Sequence, residues 1–159
     1  MTNIIIGASS EIGKALAQQL IAKNLSKLVL ISRSMPTTKL DRKIIQFIQV
    51  NDYSEQSIKL AISELKSSLS DPVTKVFICN GILQNGELKP EKKIEDFRLE
   101  NFHKVLQANT ITPMLWLQHL VPIISGDSTC KLVVFSARVG SISDNTLGAG
   151  IAIAHPKPL

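Results

Sequence analysis

The chain has 159 residues, 44% of them hydrophobic and 19% charged, with a formal net charge of +5. That length and balance fit one globular domain with a real core and exclude a disordered chain. Its apolar runs are too short for a membrane span, and the basic residues, as in 89–98, are scattered with no interleaved aromatic pattern, so neither a membrane nor a nucleic acid is expected as a partner.

In chain order, residues 3–7 form an apolar run ending in Gly7, the mark of a buried strand. Residues 10–24 place Ile12, Leu16, Leu20 and Ile21 at helical spacing. Residues 27–33 read as a second strand and 44–52 as a third, with Pro36 in the polar region between them. Residues 54–69 open on Ser54 as a helix cap and carry Ile58, Leu60, Ile62 and Leu65. A fourth strand is expected over 75–81. After a loop through Pro90 comes a long helix over 100–124, which Pro113 and Pro122 should kink or end. A fifth strand follows over 131–137. This alternation of nearly all-apolar strands with helices predicts a parallel α/β sheet covered on both faces. The N-terminus "MTNIIIGASS" lacks the basic stretch of a signal peptide, so a cytoplasmic protein is expected. Cys79 and Cys130 both lie in strand-like runs and read as buried free thiols. No spacing suggests a disulfide or a metal site.

Gly7 and Gly13 bracket the first strand-to-helix turn. Gly7 allows a tight turn, and the N–H groups near Ser10 to Gly13, at the positive end of the helix dipole, suit a pyrophosphate. A simple strand–turn–helix fits the same spacing. Position in the first βα connection, before a well-patterned helix, favours a nucleotide site made of Gly7, Ser9, Ser10, Ile12 and Gly13.

These residues resemble the short-chain dehydrogenase/reductase family, whose turn is Thr-Gly-x-x-x-Gly-x-Gly. Here Ile6 replaces the Thr and Glu11 the middle Gly, so the Glu11 carboxylate must point to solvent for a phosphate to be tolerated. The resemblance implies a Rossmann-like, doubly wound sheet of about five strands in the order 3-2-1-4-5, with a nicotinamide dinucleotide as cofactor and partner. Ser32 stands where NAD-preferring members carry an acid, and Arg33 after it resembles the NADP pattern, a guanidinium pairing with a 2′-phosphate. As a plain surface charge, Arg33 would serve equally. Asp52 matches the acid the family places near the adenine, although such an Asp also forms turns. Asn80 and Gly81 fall where the family has Asn-Asn-Ala-Gly, with only Gly81 in register. Asn109, in "LQANTITPML", matches the family's Asn that disturbs its helix, binds a water and joins a proton relay. It would also cap a helix break before Pro113.

The stretch "VVFSARVGSISDNTLG", 133–148, is similar to the C-factor and sniffer-like subgroup. The family's catalytic Ser ends the fifth strand; in that register stand Ser136 and Ala137, so Ser136, or Ser141, would have to substitute. A Ser at a strand end is also an ordinary turn residue. The family's central chemistry is a Tyr-x-x-x-Lys pair on the following helix. The Lys charge lowers the phenol, ordinarily near pKa ~10, so that it can exchange a proton with substrate. This sequence has one Tyr, Tyr53, in the turn after the third strand. Lys157 stands between Pro156 and Pro158, and a lone His155 is a poor replacement.

Codons for residues 149–159, regrouped from each third base, can spell Trp-Tyr-Ser-Tyr-Arg-Ala-Ser-Lys-Ala-Ala-Leu, the subgroup's pattern across this helix. The expectation is a one-base loss between Gly148 and Ala149. Residues 1–148 would then be the dinucleotide-binding domain, C-terminally truncated, and 149–159 an out-of-frame tail. The activity implied is NAD(P)-dependent hydride transfer between carbonyl and alcohol, with NADP favoured. It would be crippled by the missing Tyr and Lys, leaving weak or no cofactor binding. Sheet and helix surface left uncovered would promote self-association. The alternative is a non-catalytic interaction module using that apolar face.

Overall fold

A computed structural model describes residues 1–23, 27–36, 44–82, 93–125 and 129–136. Five strands, β1 (Thr2–Ile6), β2 (Lys27–Ser32), β3 (Ile45–Gln49), β4 (Val73–Ile78) and β5 (Lys131–Val134), alternate with helices α1 (Glu11–Ala22), α2 (Glu55–Ser68), α3 (Leu99–Leu106) and α4 (Thr112–Ile124). A single 3-10 turn spans Ile94–Asp96, and a π-helical turn, Gln107–Ile111, joins α3 to α4. The strands form one parallel sheet in the order β3-β2-β1-β4-β5, the expected doubly wound arrangement. Two compact units are distinguished: Met1–Asn80 with Met114–Phe135, and Gly81–Pro113 with Ser136–Leu159.

The first unit holds the sheet. Period-2 alternation splits its strands between two cores. Ile4, Ile6, Val29, Ile31 and Ile48 face Ile58 and Leu65 of α2 and Trp116 and Leu120 of α4. Ile5, Leu28 and Leu30 face the other way, against Ala17 and Leu20 of α1. Covering on both faces is why the strands read as continuous apolar runs rather than alternating ones. β4 begins at Val73 rather than at 75, because the pairing with β1 shifts register after Thr2↔Val73 and resumes at Asn3↔Lys75.

The helices bury the expected faces except at one residue each: Ile58, Ile62 and Leu65 of α2 are buried, and Leu16, Leu20 and Ile21 of α1 pack against the core. In α1 the buried residues are Gly13 and Ala17, while Ile12 is 49% exposed. In α2 they are Ile58, Ala61, Ile62 and Leu65, while Leu60 is 62% exposed. Each outward residue stands one position before a small residue, Gly13 or Ala61, that faces the sheet, hence about 100° round the helix from it. Small residues at these positions let the helix axis approach the sheet.

The expected single helix over 100–124 is divided. In the π turn the N–H of Thr112 reaches the carbonyl of Gln107, five residues back. A regular α-helix would press the Pro113 ring onto the carbonyl of Asn109 and leave it without a donor; the widened turn relieves this. Pro122 sits inside α4 without ending it, and the helix closes through the N–H of Ser125 to the carbonyl of Val121 at 2.9 Å.

β5 is a sparsely covered edge. Val133 and Val134 are each 39% exposed and Phe135 36%. Among the described residues, no helix is long and apolar enough to cross a membrane.

Candidate functional site

The β1–α1 turn is built by two glycines in close contact. Gly7 takes φ +75°, and a Cβ there would lie 2.9 Å from the carbonyl carbon of Cys79 and 3.1 Å from the Asn80 nitrogen. A Cβ on Gly13 would lie 2.6 Å from the Gly7 oxygen and 2.9 Å from the Ala8 Cα. The start of α1 therefore rests directly on the backbone of the turn, and the turn on the end of β4. The Gly7 and Ala8 N–H groups both donate to the Ile31 carbonyl, at 2.8 and 3.2 Å, and Cys79 N–H donates to Ile6 at 2.8 Å. The ends of β2, β1 and β4 are thus tied around Gly7. In this strand order the chain leaves β1 and β4 in opposite directions, and the crevice between their carboxyl ends is where open α/β sheets bind ligands.

The donors at this turn differ from expectation. The N–H of Gly13 is taken by the Ser10 hydroxyl at 3.0 Å, and the N–H of Ser10 by the Gly7 carbonyl at 3.0 Å. Ser10 is the N-cap of α1, which explains its place before the helix. The N–H groups of Ser9, Glu11 and Ile12 have no acceptor among the described residues, so these are the donors left for an anion. The Ile12 side chain is directed outward and offers a ligand only the surface of the helix start. Glu11 meets its condition: its carboxylate is exposed and bonded to Lys14 Nζ at 2.8 Å.

Ser32 is fully buried, and its hydroxyl donates to the Ser34 carbonyl at 2.6 Å. Arg33 is exposed. Its guanidinium carbon lies 5.4 Å from the centroid of the Tyr53 ring, and its carbonyl accepts from Gln49 Nε2 at 3.2 Å. Asp52 serves as a turn former. Its carboxylate accepts from the Ser54 N–H at 2.9 Å and the Ser54 hydroxyl at 2.6 Å. The Ser54 and Ser57 hydroxyls and the Ser54 N–H hold its pKa down at about 2. Ser54 in turn caps α2, accepting from the Ser57 N–H at 3.3 Å.

At the end of β4, burial pushes the Cys79 thiol up to about 11, so it stays protonated. Burial raises the half-buried Cys130 as well, and both cysteines are free. Asn80 is 9% exposed, and its Oδ1 lacks a hydrogen-bond partner among the described residues. An orphaned amide oxygen of this kind, beside a glycine turn, is an unfilled bonding position. No three His, Cys, Asp or Glu among the described residues are placed to hold a metal ion.

In the second unit, Asn109 clamps the backbone of one residue, Ile82. Its Oδ1 accepts from the Ile82 N–H at 2.7 Å and its Nδ2 donates to the Ile82 carbonyl at 2.9 Å. Gly81 leaves room for this, since a Cβ there would come 3.3 Å from Asn109 Oδ1. Asn109 lies in the middle of the π turn, four residues before Pro113. Ser136 follows β5, is exposed, and has no side-chain bond to a described residue. Ser141, His155, Lys157 and the segment from Ala149 onward lie outside the described residues.

The structure thus brings Gly7, Gly13 and Asn80 together in one unit and Gly81 and Asn109 together in the other, while Arg33 and Asp52 stand at the ends of β2 and β3. The structure adds Tyr53, which it sets against the expected site residue Arg33. The available signal was that parallel neighbours end side by side, which sets the residues after β2 next to those after β3.

A model of the KR domain matches residues 1–151. No curated protein matches the chain. Among solved structures, the Sniffer protein of Caenorhabditis elegans superimposes with a TM-score of 0.78 at 21% identity, covering 95% of this chain and 71% of its own. ElxO, solved with NADP bound, gives 0.70 at 18% identity, over 87% of this chain and 56% of its own. A short chain dehydrogenase from Leptospira borgpetersenii, solved with bound NAD+, gives 0.73 at 19% identity, over 90% and 54%. The chain therefore spans little more than half the length of the last two. These likenesses concern the fold. The family is given by the match over nearly the whole chain: the protein belongs to the KR domain family, within the short-chain dehydrogenases/reductases.

Proposed function

We propose that this chain carries the dinucleotide-binding half of an NAD(P)-dependent carbonyl/alcohol oxidoreductase. The observation that carries the reading is the β1–α1 turn: two Cβ positions closed by backbone at 2.9 and 2.6 Å, with the N–H groups of Ser9, Glu11 and Ile12 without acceptors among the described residues. That cradle fits a pyrophosphate, with Gly7 and Gly13 allowing close approach and Ser10 holding the helix start in place. Asn80 is assigned to the nicotinamide side, and Arg33 and Asp52 to the adenosine side. When bound, the dinucleotide supplies or accepts the hydride. ElxO with NADP and the Leptospira enzyme with NAD+ support a nicotinamide dinucleotide here. Arg33, with a hydroxyl rather than an acid at Ser32, supports NADP.

Of the proton-transfer groups, Asn109 and Ser136 are the candidates this sequence retains. Tyr53 stands beyond β3, at the edge of the sheet opposite β5, so it is not the catalytic phenol. We read the chain as binding cofactor without turning over substrate. Residues 149–159 are read as an out-of-frame tail beginning between Gly148 and Ala149, in a chain of the C-factor and sniffer-like subgroup. The support is the codon regrouping, in which two bases of each of the first ten triplets are set by the protein sequence. The gene sequence tests it directly: third bases that fail to spell the subgroup's helix overturn it. The two free thiols suit a cytosolic setting.

The function is tested by titration with NADPH and NADH, beside a carbonyl-reduction assay on this chain and on a version with the frame restored. NADPH binding without turnover, and turnover on restoration, are expected. A folded sample that binds neither nucleotide overturns the cofactor reading, and turnover by the present chain overturns the inactive one. A second reading, a non-catalytic interaction module, is favoured by the half-exposed Val133, Val134 and Phe135 with Met114 and Val121 on α4. The same surface would support self-association.

A further inference from the structure

We infer that Tyr53 is a positioning and specificity residue: its ring is a platform that holds the Arg33 guanidinium ready for the 2′-phosphate of an adenosine ligand. The inference deepens the NADP reading and rests on it. The guanidinium carbon lies 5.4 Å from the Tyr53 centroid, within the range where a cation is drawn to an aromatic face.

Both partners stand on backbone that cannot easily drift. On the Arg33 side, the Ser32 carbonyl accepts from the Val50 N–H at 3.2 Å, the Arg33 carbonyl from Gln49 Nε2 at 3.2 Å, and the Ser32 hydroxyl binds Ser34. The ends of β2 and β3 are thereby stitched together. On the Tyr53 side, the ring packs partly buried against the main core. Its neighbours Asp52 and Ser54 are locked by the carboxylate-to-Ser54 bonds that lead into α2. A ring fixed in this way limits the rotamers of a long, exposed side chain. An Arg held in place loses less freedom when its planar fork closes on a phosphate, so affinity rises without any new contact to ligand. The Tyr hydroxyl has no part in this, and the ring alone should suffice.

The experiment is a titration with 2′,5′-ADP and with 5′-AMP, on the wild type and on Tyr53→Leu, Tyr53→Phe and Arg33→Ala. The wild type should prefer 2′,5′-ADP, and Arg33→Ala should remove that preference. Tyr53→Leu should weaken 2′,5′-ADP by about two- to five-fold and leave 5′-AMP unchanged. Tyr53→Phe should restore wild-type behaviour. If Arg33→Ala removes the preference and Tyr53→Leu does not reduce it, the platform is refuted and the NADP reading stands. If Arg33→Ala has no effect, both fall. Should Tyr53→Leu fold poorly, the wild type still decides. Tyr53 is the one tyrosine of the chain, so its ring signals in NMR are unambiguous. They should shift with 2′,5′-ADP and not with 5′-AMP, and an indifferent ring in the presence of bound 2′,5′-ADP overturns the inference.

Discussion

At Gly13 one methyl group decides whether the first turn closes. A Cβ there would meet the Gly7 oxygen at 2.6 Å, and the obstacle is backbone that cannot swing aside. Gly13→Ala should therefore cost about 1–3 kcal/mol in stability by overpacking, read from urea melts, and should lift α1 off the turn enough to lose nucleotide binding. Unchanged stability and binding would remove the close approach from the account of the site. Asp52 shows a residue whose structural duty is visible directly. Its pKa falls from 3.8 to about 2 because hydroxyl and N–H donors favour the charged form. A depressed folded pKa means stability present above 3.8 and lost as pH falls toward about 2. Asp52→Asn should flatten that part of the acid unfolding profile, leaving the contributions of Glu55 and Asp71, which their lysine partners also lower. An unaltered profile between those pH values would show that the Ser54 bonds do not couple to folding.

The π turn is the element where local strain and a side-chain clamp coincide. Pro113 disfavours a regular α-turn, and the widened one carries Asn109, which holds both the N–H and the carbonyl of Ile82. Asn109→Leu, branched at the same carbon, deletes both bonds and should cost about 1–3 kcal/mol, the usual penalty for leaving backbone groups unsatisfied. Faster amide hydrogen exchange at Ile82 is the specific signature. Exchange that stays slow would mean the peptide is held by something other than Asn109. In α1 and α2, periodicity identified the helices correctly, yet Ile12 and Leu60 point outward. Hydrophobic residues define a stripe on a helix, and small residues within it let the helix axis approach the sheet.

At the scale of the sheet, both faces of β1 and β2 are buried, while among the described residues β5 is an edge with exposed valines. A parallel sheet normally covers its faces, and an uncovered apolar edge strand is a template for pairing with another chain. The protein should sediment faster as concentration rises, and Val133→Lys, at a half-exposed position that tolerates charge, should suppress this. Association that persists in the Lys variant would place the contact elsewhere. Lys75 and Lys131 are register partners where the β4–β5 pairing begins, a like-charge pair that does not strengthen it.

Much of the fold was open to reading from sequence. Apolar runs of strand length alternating with amphipathic stretches leave few chain paths, and the right-handed crossover rule reduces them further. The glycine turn, the Ser54 cap and the Asn109 helix break were also legible, because each depends on residues close along the chain. The tertiary structure alone decided the rest. It spent the N–H groups of Ser10 and Gly13 on internal bonds, turned Ile12 to solvent, orphaned the Asn80 oxygen, and set Tyr53 beneath Arg33. The first is local in sequence, a matter of which acceptor three residues away takes each N–H; the meeting of Arg33 and Tyr53 depends on segments distant in sequence brought within a few ångströms by strand pairing, and no local pattern encodes a distance of that kind.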